Sequence, residues 1–375
     1  MGIHIPNHRR ILPTCPETNH IEAGLRHERC ASQRPNDRRW FTPRPDRSQI
    51  MNQPLIGPLP AELQAHPGYR RVFQPGRLTF GFIMPLEGYP QSPFPTLDDH
   101  QRLAAIADQA GFSALWMRDV PFYDPQFGDT GQMLDPMVYL GFLAAHTRKI
   151  ALGTAGLVLP LRDPLIVAKQ AVSVDQLVDG RLLLGLSSGD RAIEYPAFNA
   201  EYENRGERYR EAFDLIKTVT EQPFPRATTR HYGTLRGDID MVPKPARERM
   251  PMLVIGRARQ DLSWIASHSD GWIWHLSDFN RIPDLLQTWR ATHAGNWVRP
   301  YGYAAFFDLS DNPNEPMQYV ANGIRIGRNA LIALWKRQQA QGVSHVALNL
   351  KPLRRPAEEA LAELAEFVLP HFPAE

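Results

Sequence analysis

Five consecutive residues, Gly256-Arg257-Ala258-Arg259-Gln260, follow a short apolar run and open a helical pattern. A glycine-led turn at a helix start offers backbone N–H groups and the positive end of the helix, and arginines add charge-assisted donors. That combination suits a phosphate; the plain alternative is a strand-to-helix turn carrying solvated arginines. Ser187-Ser188-Gly189 ends another apolar run and offers small donors of the kind common in any turn. Arg205 lies early in a helical stretch and is either a further phosphate ligand or an exposed helical arginine.

Two residues are candidates for moving protons. His275 ends the run Gly271–His275 and is either a satisfied rim histidine or a proton carrier to substrate. Asp119 follows Ser113–Met117 and is either a general base or a loop cap. Phe122, Tyr123 and Trp274 read as pocket wall. No His-x-His or His-Glu-x-x-His spacing occurs, so no catalytic metal is expected. There is no Gly-x-Ser-x-Gly elbow or Walker loop either. A ring of aromatic, amide-like and small residues with few convergent acids suits a planar organic cofactor.

The elements that must position these residues alternate regularly. Residues 149–191 show the pattern best: Ile150–Leu152 enters Gly-Thr-Ala-Gly, and a second apolar run follows at Leu157–Leu159. Asp163-Pro164 supplies an N-cap and a proline at the first helical position, and Gly180 stops the helix. Leu182–Leu186 is apolar on both faces, as a parallel strand under helices must be. Other strands are expected over 78–85, 113–117, 252–256, 271–275, 301–309 and 343–350. Helices are expected over 97–110 (capped by Thr96 and Asp99), 136–146, 203–221, 260–267, 283–293, 322–341 and from Pro356 to about Pro370. A Pro-rich insertion at 223–250 reads as a small hairpin at 231–241. Eight strands each followed by a helix predict a closed (β/α)8 TIM barrel, with the insertion between strands 4 and 5. An open doubly wound sheet would want a Gly-rich dinucleotide turn after its first strand, and Pro85-Leu86-Glu87-Gly88 is not one. The barrel's ligand edge is the carboxyl end of the strands. Beyond the residues above, this edge gathers Glu87, Thr154-Ala155-Gly156, Asp190, Asp308, Asn349 and Lys351.

Composition bounds the rest. The chain has 375 residues, 43% hydrophobic and 22% charged, the profile of a globular protein. A formal charge of +2 and the lack of a basic cluster interleaved with aromatics argue against nucleic acid. No apolar run approaches the roughly 20 residues a membrane helix needs. Both cysteines, Cys15 and Cys30, precede the periodic region, which fits a cytoplasmic protein. Residues 1–75 are expected to be a disordered or extended N-terminal extension, with Met51 as an alternative start, and 76–375 a single barrel domain. His8-Arg9-Arg10 is not followed by an apolar run, so a twin-arginine export signal is not expected.

The stretch LGTAGLVLPLRDPLIVAKQAVSVDQLVDGRLLLGLSSGDR resembles the bacterial luciferase-like flavin monooxygenases. The phenylalanine and arginine of AFNAEYENRGERYREAF, the segment VIGRARQDLSWIASHSDGW and the capped segment DPMVYLGFLAAHTRKIALGT agree in order and spacing across about 78–372. The resemblance implies a TIM barrel, usually a homodimer, that binds reduced flavin mononucleotide (FMN) or a deazaflavin coenzyme. It implies a non-prolyl cis peptide beneath the flavin ring, which falls at Ala155–Gly156, and phosphate contacts at Ser188-Gly189, Arg205 and Arg257–Gln260. It further implies dioxygen, a small organic substrate and a separate flavin reductase. A deazaflavin-dependent hydride-transfer enzyme and a non-catalytic flavin-binding protein are the alternatives. The luciferases proper carry a catalytic histidine after the second strand; Arg118-Asp119-Val120-Pro121 stands there instead, leaving Asp119 and His275 as candidates.

Overall fold

The structure, a computed structural model, describes residues 59–276, 278–293, 297–320 and 323–373. Met51 and the segment 1–50 lie outside the described residues. Eight parallel strands form a closed barrel: β1 (Thr79–Ile83), β2 (Ala114–Met117), β3 (Ala151–Thr154), β4 (Leu182–Ser187), β5 (Met252–Ile255), β6 (Gly271–His275), β7 (Tyr301–Leu309) and β8 (His345–Asn349). Each pairs with the next, and β8 returns to β1 in the register Thr79↔His345 to Ile83↔Asn349. The surrounding helices are α1 (His100–Gln109), α2 (Pro136–His146), α3 (Pro164–Leu177), α4 (Arg205–Glu221), α5 (Leu262–His268), α6 (Ile282–Ala291), α7 (Arg328–Gln341) and α8 (Ala357–Glu363).

Local sequence accounts for most boundaries. Asp135 and Asp163 each accept two backbone N–H groups of the helix they precede, with proline at the first position. After α3 the chain passes through left-handed Asp179 and Gly180 (φ 53° and 74°), and the Gly180 N–H returns to the Asp175 carbonyl. Asp108 draws in the entry to β3, accepting from the N–H groups of Arg148, Lys149 and Ile150.

Four expectations need correction. Thr96 and Asp99 make no capping box: Asp99 is left-handed (φ 56°) without a cap bond, and α1 begins at His100. The Glu87 carboxylate instead accepts from the Thr96 and Leu97 N–H groups, so a distant acid does the work assigned to a local one. The insertion's hairpin pairs Arg226–Thr228 with Thr234–Arg236, earlier than 231–241. The helix expected from Asn322 starts at Arg328; Gly323–Ile326 is a strand parallel to β7, with Gln318–Val320 antiparallel beside it. Ile324 and Ile326 bury alternately there, and Arg325 reaches the buried Asp308 carboxylate at 2.7 Å. Finally, residues 59–75 are not an extended lead. Two short helices, Ala61–Gln64 and Pro67–Val72, bury Leu63, Tyr69, Val72 and Phe73 against the inward residues of the barrel.

The barrel interior is built around Trp116. A Cβ on Gly153 would stand 2.5 Å from the Trp116 ring, and one on Gly81 would stand 3.1 Å from His345 Cε1, so these strands leave room for the two rings. The Trp116 indole donates to His345 Nε2 at 3.0 Å. His345 Nδ1 faces the Thr79 hydroxyl at 2.8 Å, and that hydroxyl donates to the Val72 carbonyl. The one proton arrangement that satisfies all three bonds puts the imidazole hydrogen on Nδ1. The chain of donors thus ties three strands to the helix beneath them.

Burial pushes the His345 pKa down to about 3, and burial with the nearby Arg247 and Arg249 pushes that of His66, the N-cap of Pro67–Val72, down to about 4. Both are depressed from 6.5, so the folded state binds fewer protons than the unfolded chain. The stability they contribute is present above pH 6.5 and is lost as pH falls from there toward 4 and 3, at up to ~1.4 kcal/mol per pH unit for each group. Urea midpoints should therefore fall between pH 7 and 5, and His345→Gln should flatten that slope; an unchanged slope would remove His345 as its source.

Candidate active site

The carboxyl ends of β1–β8 define a mouth at which alternation decides what faces inward. Counting in twos from Trp116, Ile273, Ala304 and Ala347, all in the interior cluster, puts Arg118, His275, Phe306 and Asn349 on the inner side. The same count turns Trp274 outward, where it stacks on Trp272 at 5.6 Å and packs among the helices. Trp274 is therefore not the pocket wall expected of it.

The phosphate candidates come together from three separate stretches. Ser188 is buried, and its carbonyl accepts from the Tyr195 hydroxyl. The Tyr195 ring meets Tyr202 edge-on at 5.0 Å, and Tyr202 lies under the Arg205 guanidinium at 3.4 Å. Arg205 opens α4, and the next residue, Gly206, receives the Gln260 side-chain amide at 2.9 Å. Gln260 also donates to the Ala258 carbonyl and accepts from Arg210 Nε. A Cβ on Gly206 would lie 3.1 Å from Arg259 Cβ, which shows how closely the turn lies on α4. Gly256, Ala258 and Arg259 are all left-handed (φ 69°, 44° and 57°). Arg257 is exposed beside them.

One part of the expected anion site is absent. The helix after this turn begins only at Leu262, and Asp261 caps it by accepting the Trp264 N–H at 2.7 Å. A carboxylate thus already occupies the positive end of α5. The donors that remain are side chains and turn backbone. Among the described residues, Arg205 Nε, Arg208 Nε and Asn204 Oδ1 are buried without a hydrogen-bond partner. Orphaned guanidinium nitrogens in one helical turn fit a phosphate whose oxygens would satisfy them.

Ala155–Gly156 is a cis peptide, as the resemblance implied. Gly156 carries no side chain where a Cβ would come within 2.7 Å of Ile255. The Thr154 hydroxyl does not face the mouth: it donates to the Gly185 carbonyl (2.6 Å), accepts the Gly185 N–H (2.9 Å) and is fully buried. Ser187 donates to the Gly156 and Leu157 carbonyls at 3.2 and 3.3 Å, which holds the turn on β4. Gly189 is left-handed (φ 71°), and a Cβ there would meet Val158 at 2.7 Å.

The two proton-handling candidates are not neighbours. Asp119, one residue beyond inward-facing Arg118, points to the outer rim. Arg162 grips it with Nε at 2.8 Å and Nη2 at 2.6 Å, and the Val158 N–H donates to it at 2.9 Å. Arg162 also reaches Asp135 at 2.9 Å, so one guanidinium joins the loops after β2 and β3 to the cap of α2. A cavity of about 380 Å³ opens on this outer side, lined by Asp119, Pro121, Arg162, Ile166 and Phe198. His275 sits at the mouth, open to solvent, with its ring edge-on to Phe306 at 5.9 Å. Desolvation and then the charge of Arg118 push its pKa below the ordinary histidine value, with the Ala304 carbonyl opposing. Sequence reasoning passed over Arg118; counting in twos along β2 was the signal available for it.

Above the mouth, residues 119–134 are held by cations. Asp129 pairs with Arg118 and Lys351, and Arg191 donates to the Asp129 carbonyl at 3.1 Å. Lys351 donates to the Gly128 carbonyl at 2.9 Å, and Gln132 is bonded to both the N–H and the carbonyl of Arg118.

The Asp119–Arg162 pair gives a direct test. The Asp119 side chain is 3% exposed, so removing Arg162 leaves a buried charge unpaired. Arg162→Ala should cost about 3 kcal/mol in urea unfolding. Asp119→Asn should cost less, and the double variant should lose less than the sum of the two. Additive losses would mean the pair contributes no coupling.

Comparison with known proteins follows the same lines. Residues 78–368 match the family model described as luciferase-like monooxygenase. The chain is 29% identical over 155 residues to 4-hydroxyprotoasukamycin monooxygenase of Streptomyces nodosus subsp. asukaensis, a match spanning 40% of each chain. In fold it is similar to an F420-dependent secondary alcohol dehydrogenase bound to an F420-acetone adduct (TM-score 0.63, 15% identity, 79% of this chain and 99% of that one). It is similar also to the oxygenating constituent of 3,6-diketocamphane monooxygenase of Pseudomonas putida in complex with FMN (TM-score 0.61, 12% identity, 80% and 100%). With the family model covering most of its length, the chain belongs to the luciferase-like monooxygenase family.

Proposed function

We propose that this protein is a flavin-dependent monooxygenase that takes reduced FMN from a separate flavin reductase and uses dioxygen on a small organic substrate. The observation that carries the reading is the pair of buried, partnerless guanidinium nitrogens on Arg205 and Arg208, with the Gly256–Gln260 turn docked on Gly206 and Ser188 joined to Arg205 through Tyr195 and Tyr202. Arg205 and Arg257 would hold the phosphate, with N–H groups of Gly189 and of the Arg257–Arg259 turn. Ala155 and Gly156 would lie against the flavin ring, where the family places its cis peptide. Reduced flavin supplies the electrons for the reaction with dioxygen when it is bound. His275, neutral at pH 7 and open to the mouth, would accept or return the proton, while Asp119, gripped by Arg162, positions the loops.

FMN is favoured over a deazaflavin by what lies beside the phosphate. The hairpin turn docks on the first turns of α4, with the Arg230 and His231 N–H groups on Glu211 and the Arg230 guanidinium on Glu207. Tyr232 lies over Arg208 at 5.0 Å. A longer tail leaving the phosphate would meet this cover and its acids in place of an open basic channel. The non-catalytic reading expects Tyr123 and Trp274 to fill the pocket beside the ring; Trp274 faces the helices, and Tyr123 is exposed against Phe94 at 4.8 Å. A homodimer is supported by α2, which is apolar on its outer face as well: Val138 is 72% exposed, and on the neighbouring α3 Ile166 is 58% exposed. No helix among the described residues is long and apolar enough to cross a membrane, and a cytoplasmic site of action would place the enzyme with its reductase.

Anaerobic titration of the purified chain with reduced FMN and with reduced deazaflavin coenzyme separates the readings. Tighter FMN binding is expected, with Arg205→Ala and Arg257→Ala each weakening it about tenfold or more. Preference for the deazaflavin would move the assignment to hydride transfer, and unchanged affinity in both variants would dismiss the clamp. Turnover should fall on the acid side, at a pH below the ordinary histidine range, as His275 becomes protonated, and that limb should vanish in His275→Asn. An identical pH profile in the variant would clear His275 of the role.

A further inference from the structure

We propose that Arg118 is the substrate anchor of this site, and that the substrate carries a carboxylate or similar small anionic group on an otherwise apolar body. The inference rests on the mouth being the flavin-bearing reaction site, and it adds the class of molecule that enters.

Arg118 lies on the inner side of the barrel, one layer above Trp116, and its charge is felt at His275 on the strand across the mouth. Its guanidinium is only partly used. Nη1 pairs with Asp129 Oδ2, while among the described residues Nε and Nη2 donate to no protein acceptor. Two in-plane N–H donors on a guanidinium match the two oxygens of a carboxylate. The side chain is 21% exposed, so these donors are reachable.

Asp129 divides its labour between its two oxygens. Oδ1 takes the Gly131 N–H at 3.2 Å, the Tyr89 hydroxyl at 3.3 Å and Lys351 at 3.5 Å, all contacts that shape the loop. Oδ2 serves Arg118 alone. A substrate carboxylate can therefore sit on Nε and Nη2 while Nη1 stays on Oδ2 and Oδ1 keeps the loop in place. The Asp129 charge beside that carboxylate opposes it. The other inward groups are Phe306, the neutral His275 and Asn349, whose Oδ1 is taken by the Lys351 N–H; the Phe306 ring would receive an apolar body. A fully neutral substrate would leave Arg118 partly desolvated beneath it with one acid to share among its donors.

The test uses the full chain and a panel of straight-chain carboxylates from butyrate to decanoate, with 3-phenylpropanoate, each set against its primary amide. Binding is read by calorimetry with and without FMN. At least one acid should bind tenfold or more tightly than its amide. Arg118→Gln should erase that preference while FMN affinity stays within twofold. Asp129→Asn, which removes the competing charge and keeps an acceptor for the loop, should tighten the acid several-fold. A merely structural Arg118–Asp129 pair predicts no such gain. No acid preference anywhere in the panel, or a preference that survives in Arg118→Gln, overturns the proposal. Loss of FMN binding with the acid preference intact would sink the flavin reading and leave the anchor standing.

Discussion

A single indole at the centre of the barrel sets the terms for the strands around it. Trp116 needs Gly153 on one side, and its N–H needs an acceptor in a place water does not reach. His345 is that acceptor, and it can serve only as a neutral ring. The hydroxyl of Thr79 completes the chain down to the Val72 carbonyl. Steric room and hydrogen-bond satisfaction thus fix the register of β1, β2, β3 and β8 relative to one another, because a buried polar group left unpaired costs more than a typical bond returns. The short helices at 61–64 and 67–72 close the end of the barrel beneath this layer.

The functional mouth follows from that floor by alternation. Once Trp116 points inward, Arg118 must too, and Asp119 must point away. Two acids near the mouth are correspondingly spoken for: Asp119 holds Arg162 on the outer rim, and Asp129 holds the covering loop. Both acids therefore act as positioning groups, and the inner side of the mouth presents a guanidinium, an imidazole, an amide and an aromatic ring. That division suits a site in which a bound organic cofactor does the redox chemistry and the protein orients, excludes water and moves a proton.

Much of this was legible in the chain. Capping pairs such as Asp135-Pro136 and Asp163-Pro164, the stop at Gly180 and the doubly apolar Leu182–Leu186 announced a parallel barrel, because each signal is local and acts within one turn or strand. Ser188, Arg205 and the Gly256–Gln260 turn were also legible as candidates, since turns between parallel strands and helices carry their own signatures. Where reading failed, the cause was a partner far along the chain. Glu87 displaced the expected Thr96–Asp99 box, Asp308 drew Arg325 and hence Gly323–Ile326 into the sheet, and Asp261 took the helix end meant for an anion.

The sequence by itself determined the architecture and the residue types at the strand ends, because period, caps and glycine stops depend on neighbours a few positions away. Only the tertiary structure decided which of those residues face one another. Arg205 meets Gln260 through Gly206, Thr154 spends its hydroxyl on Gly185, Trp274 turns to the helices and Arg118 to the mouth. Those outcomes are set by which inner-face side chains can share one closed cross-section, and no stretch of the chain contains that information alone.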